Sequence, residues 1–258
     1  ISNHAIETKV QTRFSYQTND LATAIKRRLL EYETVLRGGA GIFNASSGVS
    51  RDEWRKYVHD LRLQQNFPGI QGMGFALMMP AMEVDRHIAQ VRAEGFPDYT
   101  IRPPGVRDPT SSIIYLEPFD WRNQRAFGYD MFSEPVRRAA MIKAMETGEL
   151  VISERVTLVQ ETAQDVQPGF LMYIPVYRKD MPTTTPDERR AAIQGFVYAS
   201  FRAKDLMHGI LSATQQEIGI EFAIYDGAPS PDTLLFNTIS HVQPEILIPA
   251  APDDYLIT

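Results

Sequence analysis

Leu21, Ile25, Leu29, Tyr32, Leu36 and Phe43 recur at close to helical spacing, with Lys26, Arg27, Glu31 and Glu33 between them. The spacing predicts one long amphipathic helix over 20–44, with a start before Asp20 left open. Gly38 and Gly39 lie inside it and each costs about 1 kcal/mol relative to alanine, so a helix that passes through them needs close packing or a bend. Ser50 and Glu53 form a capping-box pattern for a second helix carrying Trp54, Tyr57, Val58 and Leu61 on one side. After Phe67-Pro68-Gly69 the period changes. Residues 70–79 form a glycine-spaced apolar run ended by Pro80, which reads as a buried strand. Helices are expected over 81–94, over 133–145 with Ser133 as N-cap and Gly148 as stop, and over 204–215. Further strands are expected at 99–102, 112–117, 150–159, 169–177 and 193–201, with a hairpin of 220–225 and 234–238 before a proline-rich tail. Helices between strands, followed by consecutive antiparallel candidates, indicate an α+β sheet of the sensor type rather than a doubly wound parallel sheet.

With 258 residues, 43% of them hydrophobic, the chain buries a substantial core, and two subdomains are expected. A net charge of -6 and the lack of a Lys/Arg run interleaved with aromatics argue against nucleic acid as a partner. The absence of cysteine excludes disulfides, thiolate metal ligands and a thiol nucleophile. His4, His59, His87, His208 and His241 have no metal-ligand spacing, and Ser111-Ser112 lacks a glycine elbow, so neither a metal site nor a catalytic constellation is expected. The stretch Gly38-Gly39-Ala40-Gly41 lacks the Gly-Lys-Ser/Thr and preceding strand of a phosphate loop, and close helix packing explains it better. No cofactor is implied. Opening on Ile1 and lacking the roughly 18–20 apolar residues of a bilayer span, the sequence is expected to be a soluble segment of a longer chain.

Candidate binding residues concentrate in the segment YLEPFDWRNQRAFGYD at 115–130 and the run GFLMYIPVY at 169–177. Asp130, between Tyr129 and Met131, is expected at a buried strand end, where a carboxylate needs a partner. That partner is a ligand donor, a nearby arginine such as Arg125, or the helix start at Ser133. Phe75, Tyr115, Phe127, Leu171, Tyr173 and Tyr198 are expected at inward strand positions around a cavity for a flat ring, or else as plain core. Gly128, Gly169 and Gly195 permit a close approach by a ligand or by another strand. Glu117-Pro118 and Asn123 read as turn chemistry, with Asn123 able to bond its own backbone. Arg137, Arg138 and Lys143 read as a solvated helix face.

FPGIQGMGFA at 67–76, YLEPFDWRNQRAFGYD at 115–130, ETGELVIS at 146–153 and PVYRKDMPTTTPDERRAAIQGFVYASF at 175–201, in that order and spacing, resemble the CHASE domains. These are extracytoplasmic sensor modules of receptor histidine kinases and cyclases. The resemblance covers nearly the whole chain. It implies a long N-terminal stalk helix followed by two PAS-like subdomains with antiparallel sheets: stalk and connecting helix over 1–66, a membrane-distal ligand-binding subdomain over 67–201 and a membrane-proximal one over 202–258. It also implies a homodimer through the stalk helix and a membrane-anchored parent, in the periplasm or outside the cell, with a cytoplasmic kinase or cyclase output.

In the plant members the ligand is a cytokinin, an N6-substituted adenine, and the resemblance places its aspartate anchor at Asp130 and a backbone contact at Ile152. The implied function is a non-catalytic sensor of a small planar, largely apolar molecule held by Asp130, Ile152, Phe75, Tyr115, Phe127, Leu171, Tyr173, Gly195 and Tyr198. Another amphiphile in the same pocket, or a ligand-free dimerisation module, is the alternative. This chain reads GYDMFSEP where the plant receptors read closer to LDMLSG, and VISERVTLV where they carry TAPFPLI, so the shape of the lining is expected to differ.

Overall fold

The computed structural model describes residues 2–213 and 220–239. Helix α1 (Ser2–Ala45) starts well before residue 20 and runs without interruption through Gly38 and Gly39. The glycines mark the place where it crosses its neighbours. A Cβ on Gly39 would come within 2.8 Å of Met73 and 3.2 Å of both Trp54 and Val197, and one on Gly38 would sit 2.7 Å from the Tyr57 hydroxyl. Tertiary packing therefore offsets their conformational cost. Ser50 and Glu53 form the expected capping box at the start of α2 (Arg51–Leu61), and the short α3 (Leu63–Asn66) follows.

Five strands form one antiparallel sheet in the order β2-β1-β5-β4-β3. They are β1 (Ile70–Met79), β2 (Thr110–Glu117), β3 (Val151–Ile152), β4 (Gly169–Tyr177) and β5 (Ile193–Arg202). A separate two-stranded sheet pairs β6 (Ala223–Tyr225) with β7 (Leu234–Asn237). Helix α4 (Val84–Ala93) follows β1, α5 (Pro135–Thr147) lies between β2 and β3, α6 (Pro186–Ala192) leads into β5, and α7 (Ala203–Ala213) follows it.

The central strands read as continuous apolar runs because helices cover both sheet faces. Along β4, Phe170, Met172, Ile174 and Val176 enter a core with α1, α2 and α7, whereas Leu171 and Tyr173 enter a second core with α5. Along β5, Val197, Ala199 and Phe201 face α1, while Phe196 and Tyr198 face α5. This two-residue alternation is what strand geometry requires.

Three expected elements differ. Residues 99–102 form no strand and contribute one bridge, Arg102 to Tyr129. The strand expected over 150–159 shrinks to β3 and an isolated bridge between Val156 and Gly169. Ser153 explains this: its hydroxyl accepts from the Leu171 N–H at 3.0 Å and donates to the Glu154 carbonyl, so a side chain takes over a ladder position. Helix α5 is capped by Glu134, whose carboxylate accepts from the Val136 and Arg137 N–H groups, with Pro135 at the first helical position; Ser133 belongs to the preceding turn. The left-handed Gly148 ends α5 as expected. The proline-rich tail and positions 214–215 lie outside the described residues.

Candidate ligand-binding site

Asp130 is completely buried, and its carboxylate has four donors. Oδ2 accepts from Arg107 Nε at 2.6 Å; Oδ1 accepts from Ser111 Oγ at 2.7 Å, the Ser111 N–H at 2.9 Å and the Phe132 N–H at 3.0 Å. Burial demands such compensation, since an unpaired carboxylate in this position would cost several kcal/mol. The arginine is Arg107, not the expected Arg125, whose Nε instead faces the Val159 carbonyl. The cap is on the single turn Met131–Ser133 and not on a helix starting at Ser133. Arg107 also donates to the Pro103 and Pro104 carbonyls, so one guanidinium fastens the loop after residue 102 to the acid.

The expected ring of aromatic wall residues is distributed over three places, which corrects the picture of one shared hollow. Tyr173, Tyr198 and Leu171 lie together in the layer between the sheet and α5. Phe75 lies on the opposite face, stacked on Phe43 of α1 with ring centroids 4.1 Å apart, and Tyr115 donates to the Val49 carbonyl on that side. The sheet itself separates Phe75 from Tyr173. Phe127 packs against Phe96, Tyr99 and Phe119. A Cβ on Gly195 would meet the Phe75 ring at 2.6 Å and the Ala76 carbonyl at 2.3 Å, so strand and ring packing accounts for this glycine. Ile152 turns its side chain toward the α1 core. Ser153 is hydrogen-bonded to Leu171, so in antiparallel alternation Ile152 is a non-bonded position, and its N–H and C=O face away from β4 at the sheet edge.

The layer under α5 is rich in methionine and small residues: Met78, Met131, Met141 and Met145 are buried there with Ala140 and Ala144. Two fully buried phenols enter it. Tyr173 donates only to the Met131 thioether, at 3.4 Å. The Tyr198 hydroxyl is fully buried, lies across Gly74 of β1 and has no hydrogen-bond partner. Burial raises both phenols well above their ordinary pKa, so both remain protonated throughout the physiological range.

Arg137 was expected on a solvated face but is buried. It donates to Glu134 at 3.1 Å and to the Thr157 carbonyl at 2.9 Å, and its guanidinium lies 5.6 Å from the Tyr129 ring centroid. Its spacing to Met141, Ala144 and Met145 puts it on the apolar stripe of α5, a signal present in the sequence. Arg138 and Lys143, by contrast, are not buried. Asn123 bonds the Gln71 and Pro118 carbonyls rather than its own backbone. Among the described residues no cluster of acidic and histidine side chains could hold a metal ion, and no helix is long and apolar enough to cross a membrane.

No curated protein matches this chain. Among solved structures it is similar to the ligand-binding domain of the Pseudomonas aeruginosa PAO1 amino-acid chemoreceptor PctC in complex with GABA. The identity is 12%, the TM-score 0.52, and the alignment covers 88% of this chain and 76% of that chain. That likeness places the long helix and antiparallel sheet in the PAS-like fold. The family model for the CHASE domain matches residues 47–236, and the chain accordingly belongs to the CHASE family of extracytoplasmic sensor domains.

Proposed function

We propose that this domain senses a small, largely apolar molecule in the layer between the sheet and α5 and passes its occupancy to a cytoplasmic output across a membrane. The observation that carries this reading is the Tyr198 hydroxyl, buried without a partner among methionines. Native interiors leave few such groups, and each one calls for an explanation. Unbranched thioether side chains readjust around a guest more easily than branched ones, which suits a layer that opens to admit one. The PctC domain, of the same fold, is described in complex with GABA, which supports small-molecule sensing here.

A cytokinin-like adenine held by Asp130 and by the outward backbone of Ile152 is the first named candidate. Asp130 already has four donors, so a ligand N–H reaches it by displacing the Arg107 guanidinium. Another amphiphile in the same layer needs no such exchange. Dimerisation through α1 is the further part of this reading; Phe14 and Tyr16 are more than half exposed there.

Calorimetry with N6-benzyladenine and other small amphiphiles, followed by hydrogen exchange of the complex, tests the location. Protection over α5, β4 and β5 is expected; protection confined to α1 and α2 refutes it. Adenine binding that ignores Asp130→Ala removes the acid as anchor.

A further inference from the structure

We propose that the molecule sensed in the α5-side layer presents a hydrogen-bond acceptor, a carboxylate or carbonyl oxygen, to the O–H of Tyr198, with Tyr173 as a second donor. This deepens the preceding assignment and rests on it. The carboxylates and two carbonyls that border the layer are already engaged. Asp130 takes four donors; Glu134 takes the Val136 and Arg137 N–H groups and the Arg137 guanidinium; the Met145 carbonyl takes the Tyr177 hydroxyl; and the Thr157 carbonyl takes Arg137. What is left over is the Tyr198 hydroxyl, whose hydrogen and oxygen are both unmatched.

Among the described residues, the buried side-chain polar atoms without a partner are Arg51 Nε, Arg122 Nη1 and the Tyr198 hydroxyl; the first two only donate, and the hydroxyl can donate or accept. Arg51 has other bonds, to the Ile114 carbonyl and Glu94, and Arg122 lies over the Trp121 ring. Tyr198 alone of the three sits inside an apolar layer. The ring centroids of Tyr173 and Tyr198 are 6.3 Å apart, so both phenols belong to the same part of the layer. Tyr173 has only a thioether, a weak acceptor, to give up in exchange. A phenol hydrogen is the stronger half of its hydrogen-bonding capacity, because the oxygen lone pair is partly delocalised into the ring. The charge that acts on both phenols is the positive one of Arg137, opposed by Glu134 at Tyr173. An amine-ended ligand would leave the Tyr198 hydrogen unmatched and bring a second cation beside Arg137.

Two matched sets of probes decide the matter: phenylacetate, phenylacetamide and phenethylamine, and hexanoate, hexanamide and hexylamine. Each is titrated by calorimetry into the wild-type domain and into Tyr198→Phe, which loses only an unpartnered hydroxyl and keeps the ring packing. The carboxylate or the amide is expected to bind at least about tenfold more tightly than the amine, and to lose about tenfold or more in Tyr198→Phe. Carboxylate ahead of amide identifies an anionic ligand; parity identifies a neutral carbonyl. Preference for the amine, or affinities that Tyr198→Phe leaves unchanged, overturns the acceptor assignment while the layer remains the site if hydrogen exchange places the probe there. Failure of all six to bind overturns the placement of the site in this layer, and the acceptor assignment with it.

Discussion

The two faces of the sheet each carry a buried apolar cluster, the larger on the α1 side, but treat their polar atoms differently. On the α1 face each buried or half-buried aromatic hydroxyl or indole N–H finds a backbone carbonyl: Tyr32 bonds Pro68, Tyr57 bonds Val35, Tyr115 bonds Val49 and Trp54 bonds Met73. Rigid rings interlock there, with Phe43 stacked on Phe75 and Phe170 on Phe201. On the α5 face the half-buried Tyr177 bonds the Met145 carbonyl, but of the two fully buried phenols Tyr198 bonds nothing and Tyr173 bonds a sulfur, and methionines fill the space between. A fully satisfied, aromatic face specifies one arrangement and suits a helix that must report the state of the sheet. A face with an unmet donor and pliable side chains holds free energy that a guest can release. On the function proposed above, sensing and transmission would lie on opposite sides of one layer of strands.

The largest expected effects test whether the α1 face is the stiffer one. Trp54 is fully buried under α1 beside Gly39 and Phe43, and Trp54→Ala should cost about 3–5 kcal/mol. Met141, equally buried on the inner side of α5, should cost nearer 2 kcal/mol as Met141→Ala, since the neighbouring methionines can partly close the void. Urea unfolding measures both; a Met141 cost equal to that of Trp54 would erase the proposed difference in plasticity. Asp130→Ala should also cost about 3–5 kcal/mol without any ligand, because it strands Arg107 and two N–H groups. Arg107→Ala should cost less, as three donors still hold the carboxylate. An Asp130→Ala domain of unchanged stability would show the acid to be held in readiness for a ligand and not for the fold.

Much of the framework is legible in the chain. The bounds of β1 and β4 coincide with their apolar runs, and β5 extends one residue further; the capping box at Ser50 and the helical reading of Gly38-Gly39 follow from local rules. The site is less legible, for a geometric reason. Alternation says that Phe75 and Gly74 point to opposite faces, but which of them shares a face with Tyr198 depends on register. Here Gly74 is paired with Tyr198, and the bulge between Phe75 and Ala76 shifts the pairing with β2. Likewise, nothing local announces that Arg107 will close on an acid 23 positions away. Arg137 was recoverable: it lies on the apolar stripe of its helix, and neighbouring charges obscured a position that periodicity marks as inward.

The smallest expected effect is also the sharpest, because the two faces predict opposite signs for one chemical change. Tyr32→Phe removes a hydroxyl that donates to the Pro68 carbonyl and leaves that acceptor without its partner, so the domain should lose about 1 kcal/mol. Tyr198→Phe removes a hydroxyl that is desolvated and unbonded; the mutant no longer carries that penalty in the folded state, while the unfolded chain loses only a hydrated group. It should therefore be more stable than wild type by about 1 kcal/mol in the absence of ligand. Paired chemical denaturation of the two variants reads the signs directly. Stabilisation by Tyr198→Phe together with weakened binding would mean that stability has been given up at this position for recognition. Destabilisation of the same size as in Tyr32→Phe would mean that the Tyr198 hydroxyl has a partner in solution, and the contrast between the faces would then lie in side-chain plasticity alone.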